Sequence, residues 1–247
     1  MSDRITLTGM VLSASPVGEY DKRLVILTKE RGRITAFAKG ARRANSPLLA
    51  AACPFVFGSF TAYEGQSAYR VAQAEVKNYF RELAKDMEAA CYGSYFLEVA
   101  NYYTRENIDE LPMLRLLYGA LRAILNPSLD NRLVRRVFEL KAMAVNGEHP
   151  QFFACADCGA AQPLSAYLPE KNGVVCDACK EQYPHRMELR DSTVYALQYI
   201  VSSNMDRVFA FGVSDEVLFE LSSLVQGLCK KRIDREFKSL EILETIS

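Results

Sequence analysis

Cys155-x-x-Cys158 and Cys176-x-x-Cys179, separated by seventeen residues, constrain this chain more than any other pattern in it. Four thiolates so spaced can close a tetrahedral site around one zinc ion. A Cys-x-x-Cys pair on a tight turn aims two sulfurs at one point, and Gly159 and Gly173 are expected to supply the backbone freedom such knuckles need. Two disulfides, a redox dithiol and an iron-sulfur cluster are the other uses of cysteines in this arrangement, and the spacing favours one structural Zn2+ per chain over them. With all four positions filled by protein, no water or substrate reaches such a metal, so it supports a fold and performs no chemistry.

The 247 residues are 49% hydrophobic, enough for the cores of one large domain or of two to three small ones. No stretch approaches the length of a membrane span, and the opening residues lack a basic segment followed by a long apolar run, so neither span nor signal peptide is expected. The seven cysteines include three isolated ones, Cys53, Cys91 and Cys229, which read as small core residues in a reducing, cytoplasmic compartment.

Net charge is zero, yet it is unevenly placed. The first 80 residues hold eleven Lys or Arg against six Asp or Glu, and the remainder nineteen against twenty-four. Residues 22–43 concentrate eight bases, Lys22, Arg23, Lys29, Arg31, Arg33, Lys39, Arg42 and Arg43, against the single acid Glu30. That density marks a polyanion footprint, with an ordinary solvated face as the alternative.

Periodicity changes near residue 80. Before it, short runs alternate at period two and break at turns such as Glu30-Arg31-Gly32 and Glu64-Gly65-Gln66. Five strands in so short a span predict an oligonucleotide-binding (OB) type five-stranded β-barrel over residues 1–80. Phe37 and Tyr63 either stack bases on it or fill its core. After residue 80 the spacing is helical: Tyr92, Tyr95, Phe96, Val99, Tyr102 and Tyr103 share one face, read as core. Helices follow over 111–125 and from an N-cap at Asp130 to Asn146-Gly147, the latter with Leu133, Val137, Leu140 and Ala144 inward and Arg132, Arg135 and Arg136 on its other side. Two more span 192–204 and 214–231. The expected architecture is α+β and multidomain: barrel (1–80), a helical domain in two parts (81–150 and 189–247), and a four-cysteine, zinc-ribbon-like insert (151–188).

Catalytic patterns do not emerge. The two histidines, His149 and His185, stand in no metal or triad spacing, and Gly32 to Gly40 lacks the Lys-Ser or Lys-Thr of a phosphate loop. A non-enzymatic protein is therefore expected.

Taken together, Tyr20-Asp21, Leu27-Thr28, Gly32, Ala38-Lys39-Gly40-Ala41-Arg42-Arg43, Ser46, Pro54-Phe55 and Ala74-Glu75, followed by Phe138-Glu139-Leu140-Lys141, Gly147, Pro150 and Cys155-x-x-Cys158-Gly159, resemble the bacterial RecO recombination mediators across the chain. Phe237-Lys238-Ser239 is similar to that family's closing segment, with a different order of neighbours. The resemblance implies an OB domain, a helical domain and a zinc insert. It also implies a nucleoid-associated DNA repair role: binding single- and double-stranded DNA, annealing strands and, with RecR, loading RecA onto DNA coated by single-strand-binding protein (SSB). Lys39, Arg42 and Arg43 are the leading phosphate contacts. The acidic, apolar-tipped SSB tail suits a face with Arg132, Arg135, Arg136 and Phe138, the alternative being a helix surface laced to acids such as Glu139. A zinc-ribbon and OB composition also fits a transcription or translation factor, which would discriminate base edges where a mediator is nearly sequence-blind.

Overall fold

The computed structural model describes residues 4–246 and divides into two compact units. The first runs to Asn126 and takes back the chain from Phe237 on; the second is Pro127–Glu236.

Five strands open the first unit: β1 (Arg4–Val17), β2 (Asp21–Thr28), β3 (Gly32–Ala38), β4 (Phe57–Tyr63) and β5 (Tyr69–Asn78). They pair in the order β1-β2-β3-β5-β4, and β4 pairs back onto β1, so the sheet closes into a barrel. The β3–β5 ladder alone is parallel, held by the pairs Ala36↔Tyr69, Phe37↔Arg70 and Ala38↔Val71. Alternation dictates the interior: Leu7, Val11, Leu24, Ile26, Ile34 and Phe60 are buried in one cluster. Gly32 turns β2 into β3 at φ +64°, and a Cβ there would stand 2.3 Å from the Arg105 carbonyl oxygen, so only glycine fits.

A 3-10 turn (Arg81–Lys85) leads into α1 (Met87–Tyr103), N-capped by Asp86, and α2 (Leu111–Ile124) follows. Of the predicted stripe, Tyr92, Tyr95, Phe96, Val99 and Tyr103 are buried, and Tyr102 is half-buried. The change of period near residue 80 marks where strands give way to helices, yet the compact unit continues through it. Tyr118 of α2 packs its ring against Phe57 and Phe80, and Arg33 of β3 donates to Asn101 of α1 at 2.9 Å. The unit is completed by α7 (Lys238–Ile246), where Phe237 sets its ring edge-on to Tyr95 and Tyr102 and Ser239 donates to Glu98.

The second unit holds α3 (Asn131–Val145), a three-stranded sheet of β6 (Leu164–Leu168), β7 (Gly173–Cys176) and β8 (Met187–Glu188), the single turn α4 (Asp177–Lys180), and the helices α5 (Asp191–Ser202) and α6 (Asp215–Arg232). Asp130 caps α3 and Ser214 caps α6, as the side-chain chemistry dictates. Buried residues cover α3 from Leu133 to Arg135 and from Val137 to Met143, with only Arg136 between them half-buried, so it is a central helix. Its Lys141 is buried too, and donates to the carbonyls of Val201 and Ser203 at 2.7 Å each, closing the C-terminus of α5. Burial draws the Lys141 ammonium below its ordinary pKa.

Candidate nucleic-acid interface and metal centre

The Ala38-Lys39-Gly40-Ala41-Arg42-Arg43 stretch leaves the end of β3 and locks onto the β1–β2 turn. Gly40 sits at φ +66° and donates its amide to Asp21 Oδ1 at 2.7 Å. The Arg42 amide donates to the Tyr20 carbonyl at 2.9 Å, and the Arg42 guanidinium to the carbonyls of Gly18 and Glu19 at 3.1 and 3.0 Å. Arg43 stands over the Tyr20 ring, 4.8 Å from its centroid. Lys22, half-buried, donates to the Ala52 carbonyl at 2.7 Å, while Arg23 and Lys39 are exposed. These five bases share one end of the barrel.

The other three sit at the opposite end. Strand β2 separates Lys22 from the β2–β3 turn by about 20 Å at roughly 3.3 Å per residue. Lys29 and Arg31 are exposed there, and Arg33 is half-buried against Asn101. Burial and the nearby Arg105 lower the Arg33 pKa, the mark of a guanidinium drawn into the packing. A run of eight bases in sequence thus becomes two patches, since a hairpin sends alternate stretches to opposite ends. Arg70 belongs with the first patch, its guanidinium 5.2 Å from the Tyr63 ring centroid. Linear charge density could not show this, because Arg70 stands alone among uncharged neighbours.

On α3, the four residues read as a partner face have different surroundings. Phe138 is fully buried. Arg135 and Arg136 are almost covered, donating to the two carboxylate oxygens of Glu139 at 2.9 and 2.8 Å, with Glu139 itself 1% exposed. Arg132 is 64% exposed and holds Asp130 with two of its nitrogens. The reach of arginine explains the outcome: at i−4 and i−3, two flexible stems converge on one carboxylate.

The four cysteine sulfurs lie within 4.8 Å of one another, with Cys158 Sγ and Cys176 Sγ 3.7 Å apart. Tetrahedral coordination with bonds of about 2.3 Å places sulfurs about 3.8 Å apart. The geometry therefore fits a metal; the cysteines are free, not disulfide-bonded. Amides of Cys158 and Cys176 point at Cys155 Sγ from 3.5 and 3.4 Å. Burial pushes the Cys155 thiol up, but these amides and that of Asp157 outweigh it and hold it at about 6. Hydrogen bonding among the thiols of Cys158 and Cys176 pushes Cys179 the other way. Gly159 takes φ +77°, the freedom expected of a knuckle. Gly173 has another reason: it bridges Gln151, and a Cβ there would stand 2.9 Å from that of Ala156. Asp157, between the first two cysteines, accepts from Lys171 at 3.0 Å and Tyr183 at 2.9 Å, fixing the knuckle from outside.

No helix among the described residues is long and apolar enough to cross a membrane.

Two family models match. One described as "Recombination protein O N terminal" covers residues 1–80, and one described as "Recombination protein O C terminal" covers residues 84–241. Their junction falls where the periodicity changes. Among curated proteins, the chain is 29% identical to "DNA repair protein RecO" of Acetivibrio thermocellus, over 97% of this chain and 96% of that one. It is 31% identical to the protein of the same name in Alkaliphilus metalliredigens, over 98% and 99%. A third, in Desulforudis audaxviator, is 31% identical over 95% and 94%.

Proposed function

This chain belongs to the RecO family of DNA repair and recombination proteins, and on that footing we propose that it binds single- and double-stranded DNA, anneals complementary strands and, with RecR, helps load RecA onto SSB-coated DNA. The observation that carries the DNA reading is the basic end of the barrel, where Lys39 and Arg23 are exposed and Arg43 rests on Tyr20. Cations beside ring faces give sequence-blind affinity, by releasing counterions from phosphates and by stacking.

Annealing needs no covalent step. A basic surface offsets the repulsion between two phosphate backbones, so complementary strands can meet and pair by themselves. Zn2+ is the metal we assign to Cys155, Cys158, Cys176 and Cys179, a closed site that ties the knuckle to β7 and α4 and offers no vacant position for substrate. For the acidic tail of SSB, Arg132 is the reachable cation of the α3 face. Work on chromosomal DNA implies a nucleoid-associated, cytoplasmic location.

The direct test is titration of labelled single- and double-stranded oligonucleotides at several salt concentrations, followed by a strand-annealing assay with and without SSB. Salt-dependent binding of unrelated sequences with equal affinity supports the mediator. Discrimination among sequences at fixed salt supports a sequence-specific factor in its place.

A further inference from the structure

The barrel ladders align five side chains that lie far apart in the sequence. Arg23 on β2 is the register partner of Phe37 on β3, Phe37 of Arg70 on β5, Arg70 of Tyr63 on β4, and Tyr63 of Arg4 on β1. Their neighbours along the strands, Leu24, Ala36, Ala38, Val71 and Ala62, are buried in the interior, so these five project from the outer wall. Arg4, Arg23 and Arg70 are exposed, and Phe37 and Tyr63 half-exposed. Cation and ring alternate across four ladder steps, about 19 Å at roughly 4.8 Å per step.

An aromatic on an outer barrel wall is ordinarily there to be covered. Phe57, at the other end of β4, is covered by Tyr118 of α2 at 4.9 Å. Neither helix brings a ring onto Phe37 or Tyr63 among the described residues; what lies over Tyr63 is the Arg70 guanidinium, at 5.2 Å. The turns at residues 18–20 and 64–68, joining β1 to β2 and β4 to β5, open at this same end.

We propose that this belt is a base-stacking track for single-stranded DNA. Bases lie against Phe37 and Tyr63, some two strand spacings apart, while the phosphate between them falls to Arg70 and the one beyond Phe37 to Arg23. Both halves of that chemistry are sequence-tolerant, since every base has a π-face and every nucleotide a phosphate. A duplex keeps its bases stacked inside and can use only the cations, so the belt favours single strands. This inference rests on the DNA-binding reading above and names where on the barrel the strand runs.

The test is fluorescence anisotropy with a labelled oligonucleotide, on the full chain, with folding checked by circular dichroism and thermal melting. Phe37→Leu and Tyr63→Leu should each lose about tenfold in single-strand affinity, leave duplex affinity unchanged and leave the slope of log K against log salt unchanged. Tyr63→Phe should bind like the parent, and Arg70→Gln should flatten the slope by about 0.7. If the parent binds single strands and both folded leucine variants bind equally well, the belt is wrong while the functional reading stands. If the parent binds no DNA, the functional reading itself fails. Should the leucine variants not fold, photocrosslinking of the parent to an oligonucleotide carrying 5-iodouracil decides: adducts at Phe37 or Tyr63 support the belt, and adducts only elsewhere overturn it.

Discussion

Arg135 donates from Nε to Glu139 Oε1 at 2.9 Å, one turn along α3, in a place where almost no water reaches either group. Arg136 takes the second oxygen of the same carboxylate at 2.8 Å. Two guanidiniums gathered on one buried carboxylate make Glu139 a keystone, because burying a cation without its partner costs more than an exposed pair ever returns.

Glu139→Gln should therefore destabilise the protein by about 3 to 5 kcal/mol. In a chain of this size that is a fall in Tm of order 10 °C by calorimetry. Arg132→Ala, which removes exposed ion pairs to Asp130 and Asp215, should cost no more than about 1 kcal/mol. Equal effects of the two substitutions would show that the Glu139 cluster is solvated.

If the four cysteines hold zinc as proposed, elemental analysis of protein purified under reducing conditions should find about one zinc per chain, an occupancy that the 3.7 Å Cys158–Cys176 approach fits. Cys176→Ser should release the metal and lower stability, leaving single-strand binding largely intact, since the cysteines and the barrel belong to different compact units. Metal-free native protein, or a variant that keeps its zinc, would contradict the assignment.

Features set by local chemistry were readable from the sequence. The cysteine knuckles, the alternation inside the barrel, and the cap at Asp130 each depend on residues within a few positions of one another. Features set by register or long side chains were not. Arg70 meets Phe37 only through a parallel ladder between strands 33 residues apart in numbering, and Arg33 leaves the basic surface because the β2–β3 turn folds against Asn101. On α3, polarity suggested an outer face, but Arg135 and Lys141 reach partners while buried, which a binary pattern cannot represent. The closing helix α7 is too short to show a clear period, and Phe237 just before it and Leu243 within it gain meaning only against α1.

The α3 cap gives a pH signature. Asp130 accepts the Arg132 amide at 2.8 Å, and the Arg132 guanidinium beside it, with the backbone amides, holds its carboxyl below the usual range. A depressed folded pKa means that the stabilisation is present above the unfolded value of about 3.9 and is lost as pH falls through the folded value. Asp130→Ala should thus cost about 1 kcal/mol in urea unfolding at pH 7. The gap between parent and variant should narrow below about pH 4. A gap that stays constant down to pH 3 would mean that the carboxylate charge contributes nothing to the cap.

The split of the basic cluster can be read from salt dependence. Lys39→Ala and Arg43→Ala remove cations from the end of the barrel where the strand is proposed to run, and each should flatten the slope of log K against log salt by about 0.7 on single-stranded DNA. Arg33→Ala should leave that slope alone and lower stability, because its guanidinium already donates to Asn101 within the fold. Arg42→Ala should do both in part: its guanidinium holds the carbonyls of Gly18 and Glu19, so losing it loosens the turn that carries Tyr20 as well as removing a charge. Restoring the charge with Arg42→Lys should recover the slope but not all of the affinity, since a rotatable ammonium on a shorter stem does not reproduce the fixed planar geometry with which the guanidinium meets the Gly18 and Glu19 carbonyls. If Arg33→Ala flattens the slope as much as Arg43→Ala does, the strand contacts both ends of the barrel and the division drawn from the β2–β3 hairpin is wrong.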